Sequence, residues 1–315
     1  TNLFTDAEEL VVYSYDATRA ESLPWAVARP ASAREVSEVL LLANRERFPV
    51  VPRGAGTGMS GGSVPASGGL VLSFERMDRI LEIDEQNRMA VVEPGVITGD
   101  LQRKVEAHGL FYPPDPASHQ FCTLGGNVAE CAGGLRAVKY GVTRDYILGL
   151  EVVLPTGEII ETGARTLKSV AGYDLTRLLI GSEGTLGVVT KIIVKLLPLP
   201  ESIQTLAAYF PDIRSAAQAV SRITASAIVP RALELIDGGA LRAVETYLKQ
   251  DISRSAGAML LAEVDGPLAV SVSEIGTLER ICREAGAVTV KRAADRGEQD
   301  QLWKIRRSIS PALYT

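Results

Sequence analysis

The chain has 315 residues, 46% of them hydrophobic and 23% charged, with a net charge of −5. This is the balance of a globular protein long enough for two domains. It excludes a basic footprint for nucleic acid or for an anionic membrane surface. No apolar run approaches the ~20 residues of a transmembrane segment, and Thr1 to Leu10 carries neither the basic nor the apolar region of a signal peptide.

In chain order, Ser32-Ala33-Arg34-Glu35 reads as a capping box, and Val36, Val39, Leu40 and Ala43 then fall on one helical face. A strand from Pro49 to Val51 leads into the glycine run Pro52-Arg53-Gly54-Ala55-Gly56-Thr57-Gly58-Met59-Ser60-Gly61-Gly62, and a strand from Leu70 to Phe74 follows. Arg79 to Ile83 and Arg88 to Val92 are short strands joined by a polar turn. Thr98 to Ala107 is a helix, with His108 in its last turn and Gly109 after it. Ile147 to Leu154 and Glu158 to Thr162 form a hairpin through Pro155-Thr156-Gly157. Leu175 to Ile180 is a short helix, and Val188 to Leu197 a β-rich run. No strict βαβα rhythm appears, so the class is α+β rather than doubly wound.

Pro198-Leu199-Pro200 marks a boundary, giving an N-terminal segment 1–20, a domain 21–199 and a second domain 200–315. The second domain reads strand (Thr205 to Phe210), helix (Ile213 to Ala225), strand (Ala232 to Ile236), helix (Ala240 to Leu248), strand (Ala258 to Val264), helix (Leu268 to Ala285), strand (Ala287 to Arg292). With the middle helix set aside this is β-α-β-β-α-β, a ferredoxin-like unit; an unrelated α/β domain is the alternative. Cys122, Cys131 and Cys282 are too few and too scattered for a disulfide framework and fit a reducing cytoplasm. Cys282 is expected to be a small buried hydrophobe. His108 and His119 form no zinc-spaced cluster, so no metal site is assigned.

A glycine-rich run after a strand can turn bare backbone N–H groups toward phosphate oxygens, because glycine tolerates φ > 0 and blocks nothing. Gly56, Gly58 and Gly61 match the dinucleotide pattern, with Glu75 lying 19 residues past Gly56. That reading needs a helix after the last glycine, and Gly62-Ser63-Val64-Pro65-Ala66-Ser67-Gly68-Gly69 cannot sustain one. A phosphate cradle without a crossover helix and an ordinary surface loop both remain open for this run taken alone.

Two further clusters join it. One runs Tyr112-Pro113-Pro114-Asp115-Pro116, Cys122-Thr123-Leu124-Gly125-Gly126-Asn127, Gly133-Gly134 and Lys139-Tyr140-Gly141; the other is Gly181-Ser182-Glu183-Gly184-Thr185-Leu186-Gly187-Val188-Val189. In this order the three clusters resemble the FAD-binding, PCMH-type domain of the vanillyl-alcohol oxidase superfamily. The nearer resemblance is to its branch of glycolate oxidase flavoprotein subunits, D-lactate dehydrogenases and D-2-hydroxyglutarate dehydrogenases. It runs from about Leu23 to the end of the chain. The resemblance implies a two-part FAD-binding domain followed by a ferredoxin-like cap. It places the pyrophosphate on the backbone of Pro52, Arg53, Gly54, Ala55, Gly56, Thr57 and Gly58, with Arg53 either adding a charge or standing solvated. It places Asp115, Cys122, Thr123, Gly125, Gly126, Cys131 and Gly133 along the flavin, with Asn127 readable instead as a turn residue. Glu183, Gly187 and Val189 would lie near the ribityl chain or ring. Some relatives bind FAD covalently through a histidine where this chain has Thr57, so non-covalent FAD is implied.

In Trp303-Lys304-Ile305-Arg306-Arg307-Ser308-Ile309-Ser310, Arg306 matches the family arginine that pairs with a substrate carboxylate, and Ser310 a hydroxyl near it. Lys304 and Arg307 read as solvated. The implied reaction is oxidation of a small D-2-hydroxy acid to the 2-oxo acid by hydride transfer to flavin. Electrons would pass to an iron–sulfur or other electron-transfer subunit, and a homodimer is compatible with this. The family's base and divalent-metal motifs lie downstream of the position of Thr315, so the catalytic base is unassigned and a metal is expected only with a further C-terminal part. A non-catalytic FAD-binding subunit, or a flavin oxidase of another alcohol, are the alternatives.

Overall fold

The computed structural model describes residues 2–252 and 256–314. The chain divides into two compact units, Thr1–Gly134 with Gly141–Leu199, and Leu135–Tyr140 with Pro200–Thr315.

The first unit holds two main sheets. The four-stranded one runs Leu3–Phe4, Ala26–Ala28, Leu70–Ser73, Val50–Arg53 in space, and Leu70–Ser73 is parallel to both of its neighbours Ala26–Ala28 and Val50–Arg53. Helix Ala33–Glu46 connects two of these strands and buries Val36, Leu40 and Ala43; Val36 and Leu40 pack on Leu72, Phe74 and Val153. The Ser32 hydroxyl accepts from the Glu35 N–H, but the Glu35 carboxylate accepts from the N–H of Ala31 rather than Ser32. The capping box therefore closes one residue further out.

Because Val50–Arg53 and Leu70–Ser73 are parallel neighbours, the chain between them must cross over. It does so as a succession of turns and bends with no helix. The five-stranded sheet runs Ile80–Asp84, Met89–Val92, Val188–Lys195, Ile147–Val153, Ile159–Gly163 and is antiparallel throughout. In Val188–Lys195, the residues Val188, Thr190, Ile192 and Val194 are buried and alternate with half-exposed ones, as a strand with one core face requires. His108 lies beyond the end of helix Thr98–Glu106, its Nδ1 2.6 Å from the Glu85 carboxylate.

The second unit is a four-stranded antiparallel sheet in the order Ala232–Asp237, Ala258–Gly266, Ser202–Phe210, Thr289–Arg292. This is the ferredoxin-like arrangement, with helix Gly238–Leu248 added. Helices Ile213–Thr224 and Leu268–Glu284 cover one face through Ala216, Ala219, Ile223, Ile275, Leu278 and Cys282. The other face meets Leu241, Val244, Trp303 and Ile305. The central strand Ala258–Gly266 is thus buried on both faces, which explains the apolar run Ala258–Ala262 at its start.

Two acids on that strand carry a buried polar network. Glu263 accepts from the Thr205 hydroxyl at 2.8 Å and from the Trp303 indole N–H, and it pairs with Arg231 at 3.1 Å. Asp265 pairs with Arg231 and Lys139 and accepts from the Tyr140 hydroxyl at 2.7 Å. Lys139 and Tyr140, read from the sequence as part of the flavin-side cluster, thus belong to the second unit. Burial alone would raise the Asp265 carboxyl, but hydrogen bonds from Lys139 and Tyr140 and the charge of Arg231 hold it below its ordinary value.

Two outcomes are expected. Glu263→Gln removes one of two carboxylates facing the buried Arg231 guanidinium and should destabilise the second unit by about 3 kcal/mol in urea unfolding. Asp265 has a lowered folded-state pKa, so the stability it contributes is in place above the unfolded value of 3.8 and is lost as pH falls through the folded one. Asp265→Asn should therefore flatten the acid limb of a stability–pH profile and leave its alkaline limb unchanged.

Candidate cofactor site

The first unit encloses a cavity of about 280 Å³ whose wall comes from all three glycine clusters. The glycine run contributes residues 52 to 59 with Gly62 and Ser63, the middle cluster Pro116, Ser118, Cys122, Thr123, Gly125, Gly126 and Asn127, and the last cluster Ser182, Glu183, Gly184, Gly187 and Val189.

The loops meet at their glycines. A Cβ on Gly54 would sit inside van der Waals contact of the Thr123 hydroxyl, and one on Gly125 would lie 2.6 Å from Pro94 Cβ. A Cβ on Gly187 would lie 2.5 Å from Val152 Cγ1. Gly184, at φ +76°, backs onto Pro52, whose Cγ would lie only 3.0 Å from a Cβ there. Such approach is open only to glycine.

Arg53 is neither solvated nor aimed at open solvent. It is 5% exposed, and its guanidinium donates to the Ser63 carbonyl and to the Val12 carbonyl, each at 3.3 Å. The side chain braces the glycine run from behind. Burial lowers its pKa, opposed mainly by the charge of Asp16. Gly56 is needed twice, for its φ of +66° and because a Cβ there would collide with the Arg53 guanidinium.

The middle cluster is partly helical, which the sequence reading did not anticipate. Residues Leu124–Glu130 form a helix capped by Thr123, whose hydroxyl accepts from the Gly126 N–H at 3.3 Å. Asn127 is therefore no turn residue. It is buried, and its side-chain amide donates to Thr98 Oγ1 at 2.7 Å. Cys131 ends this helix in the left-handed region, at φ +51°. Glu183 has the same φ, and Ser60 donates to Glu130 at 2.9 Å on the rim.

Of the residues expected at the site, 52 to 58, Cys122, Thr123, Gly125, Gly126, Glu183, Gly187 and Val189 line the cavity. Asp115, Cys131 and Gly133 do not line the cavity, though they are next in sequence to the lining residues Pro116 and Ala132. The sequence reading missed Phe74, Pro94, Glu130 and Leu179, which reach the wall from other elements; Pro94-Gly95, closing a strand, was the available signal. Arg306 and Ser310 belong to the second unit. Arg306, on helix Arg296–Arg307, is half-buried, and its Nε donates to the Glu234 carboxylate. Its two terminal nitrogens donate to no described residue. Ser310 is exposed on helix Ile309–Leu313, and Lys304 and Arg307 are exposed. Among the described residues no three His, Cys, Asp or Glu side chains are grouped to hold a metal ion, and no helix is long and apolar enough to cross a membrane.

Comparison with known proteins places this geometry. Residues 24–163 match the FAD binding domain and residues 199–315 the C-terminal domain of FAD linked oxidases. The chain is 52% identical over 304 residues to a glycolate oxidase subunit of Bacillus subtilis, covering 96% of this chain and 65% of that protein. It is 39% identical to a glycolate oxidase subunit of Escherichia coli K12, covering 99% and 62%. It is 40% identical to a D-lactate dehydrogenase of Archaeoglobus fulgidus, covering 91% and 63%. The chain thus spans less than two thirds of the length of these relatives. An alkyldihydroxyacetonephosphate synthase structure superposes with a TM-score of 0.81 at 22% identity, over 99% of this chain and 61% of that one, and shares the fold.

The cavity fits FAD on its own terms. Its wall is lined by glycines 54, 56 and 58, with no Cβ between main chain and a ligand, while the N–H groups of Gly125 and Gly126 are taken up by the Pro94 carbonyl and the Thr123 hydroxyl. Gly54→Val, which forces Thr123 off the first loop, is expected to abolish FAD retention on gel filtration while the circular dichroism spectrum stays near wild type. The three joined glycine clusters, the ferredoxin-like unit and these matches agree: the chain belongs to the FAD-linked oxidases that pair an FAD binding domain with an FAD-linked oxidase C-terminal domain, and FAD is its cofactor.

Proposed function

We propose that this protein is the flavin-bearing part of an oxidoreductase that converts a small D-2-hydroxy acid, such as glycolate or D-lactate, to the 2-oxo acid. The glycine-walled cavity carries the reading, because it provides for a phosphorylated cofactor on backbone donors. The names of the relatives, glycolate oxidase subunit and D-lactate dehydrogenase, support the substrate class.

In this reading the N–H groups of residues 53 to 58 hold the pyrophosphate. Thr123, Gly125 and Gly126 lie along the flavin, together with Asp115, Cys131 and Gly133. Glu183, Gly187 and Val189 border the ribityl side. When bound, FAD supplies a two-electron acceptor for the hydride leaving C2 of the acid, while the hydroxyl proton goes to a base. No residue here is assigned as that base. Thr57 cannot make the covalent link a histidine would, so FAD is held non-covalently and should leave on denaturation.

Arg306 is the proposed carboxylate partner. Glu234 fixes the guanidinium through Nε, and the two terminal nitrogens form a planar fork suited to two parallel bonds. Ser310 would add a hydroxyl nearby. The reduced flavin would pass electrons to an iron–sulfur or other electron-transfer subunit, as the word "subunit" in the relatives' names suggests. Three free cysteines support a cytoplasmic placement.

The test is an anaerobic visible spectrum with added glycolate, D-lactate or D-2-hydroxyglutarate. Bleaching of the flavin bands by one acid supports the reading. A flavin spectrum that none of them bleaches favours a non-catalytic FAD-binding subunit. Arg306→Lys should raise the KM for the bleaching acid by about ten- to a hundredfold, the loss expected for a charged hydrogen-bonded pair; an unchanged KM removes Arg306 from the substrate site.

A further inference from the structure

The chain leaves the first unit at Gly134, contributes Leu135–Tyr140 to the second, and returns at Gly141. This short loan has a built anchor and a built base. At the anchor, Lys139 donates to both the carbonyl and the carboxylate of Asp265, the latter fully buried, and Tyr140 donates to the same carboxylate. Leu135 packs on the apolar cluster around Trp303 and Ile305.

At the base, the two limbs of the loop are tied together. The Ala132 carbonyl accepts from both the N–H and the hydroxyl of Thr143, at 3.1 and 2.7 Å. Ala132 is part of the cavity wall. Gly134 lies so close to Asp115 that a Cβ has no room, and Gly141, at φ +79°, lies equally close to the Asp145 carboxylate. The loop therefore leaves and rejoins at glycines packed against fixed groups, a few residues from the cavity.

We propose that Lys139 and Tyr140 are positioning residues for the cofactor cavity: held by Asp265, they fix the loop whose base forms the wall at Ala132, so that the state of the second unit sets FAD affinity. The inference rests on the reading of the cavity as the FAD site. Its physical content is reciprocal, since a coupling that tightens FAD must also be tightened by FAD.

The experiment uses trypsin, which cuts after Arg136 and Lys139, together with FAD titration of wild type, Lys139→Arg and the double variant Lys139→Met/Tyr140→Phe. FAD should slow cleavage after Arg136 in wild type. The double variant should be cut faster there, lose the protection, and bind FAD about tenfold more weakly, within the usual range of couplings between sites. Lys139→Arg, which keeps the cation, should stay near wild type. A double variant whose FAD affinity and cleavage rate match wild type overturns the proposal, as does wild-type cleavage that FAD leaves unchanged. If the double variant does not fold, Lys139→Met alone is read against the same criteria, since it leaves Arg231 and Tyr140 on Asp265. Wild-type protein that does not bind FAD defeats the cofactor reading separately; unequal cleavage of the variants then still supports the anchor, and equal cleavage overturns it.

Discussion

A methyl group on Gly187 would come within 2.5 Å of Val152, and one on Gly125 within 2.6 Å of Pro94. At these points main chain approaches its neighbours more closely than any side chain allows. The three loops around the cavity come from distant stretches of sequence, yet they are positioned by the same device. Each abuts a fixed neighbour, the helix-capping Thr123, Pro94 or Val152, through a residue with no side chain. The wall that results is main chain held in place by close-packed neighbours. That rigidity is what a preorganised anion cradle needs. Arg53 completes it from the rear, since its buried guanidinium is spent on two carbonyls of the scaffold.

The second unit solves a different problem. Its central strand is covered on both faces, so Glu263 and Asp265 have no route to water along that strand. Buried carboxylates persist only when paired and hydrogen-bonded. Arg231 bridges the two acids, and Thr205, Trp303, Lys139 and Tyr140 fill further acceptor positions. The partners come from four separate stretches of chain. Such a network contributes less to net stability than to the uniqueness of the arrangement, because any misplaced partner leaves a charge alone in the core.

Much of this was legible in the sequence, for physical reasons. The run from Val188 is rich in β-branched residues, so its strand follows directly, whereas its buried face is set by the sheet and not by residue type. The absence of a helix after Gly62 follows from three glycines, a proline and two serines in a row. The order of elements after Pro200 defines the ferredoxin-like sheet. What escaped depends on contacts that local pattern does not carry. Gly125 and Gly126 argue against a helix by propensity, yet Leu124–Glu130 is helical because Thr123 caps it and Pro94 admits only glycine beside it. Arg53 reads as a surface residue by type, and only the tertiary structure shows which carbonyls it serves. Lys139 and Tyr140 sit in a stretch rich in cofactor-side residues, and their true partner is an acid on a strand more than a hundred residues away.

That last distance has a consequence in time. Lys139 and Asp265 are separated by 126 residues. On a ribosome adding roughly 5–20 residues per second, the loop emerges about 6–25 s before its acid exists. The sheets of the first unit, complete at Lys195, can close during that interval. The six residues Leu135–Tyr140, with a lysine that has no acid yet to meet, then wait for the second unit. The nascent protein thus passes through a stage in which the segment later held by Asp265 is already made but not yet anchored to it.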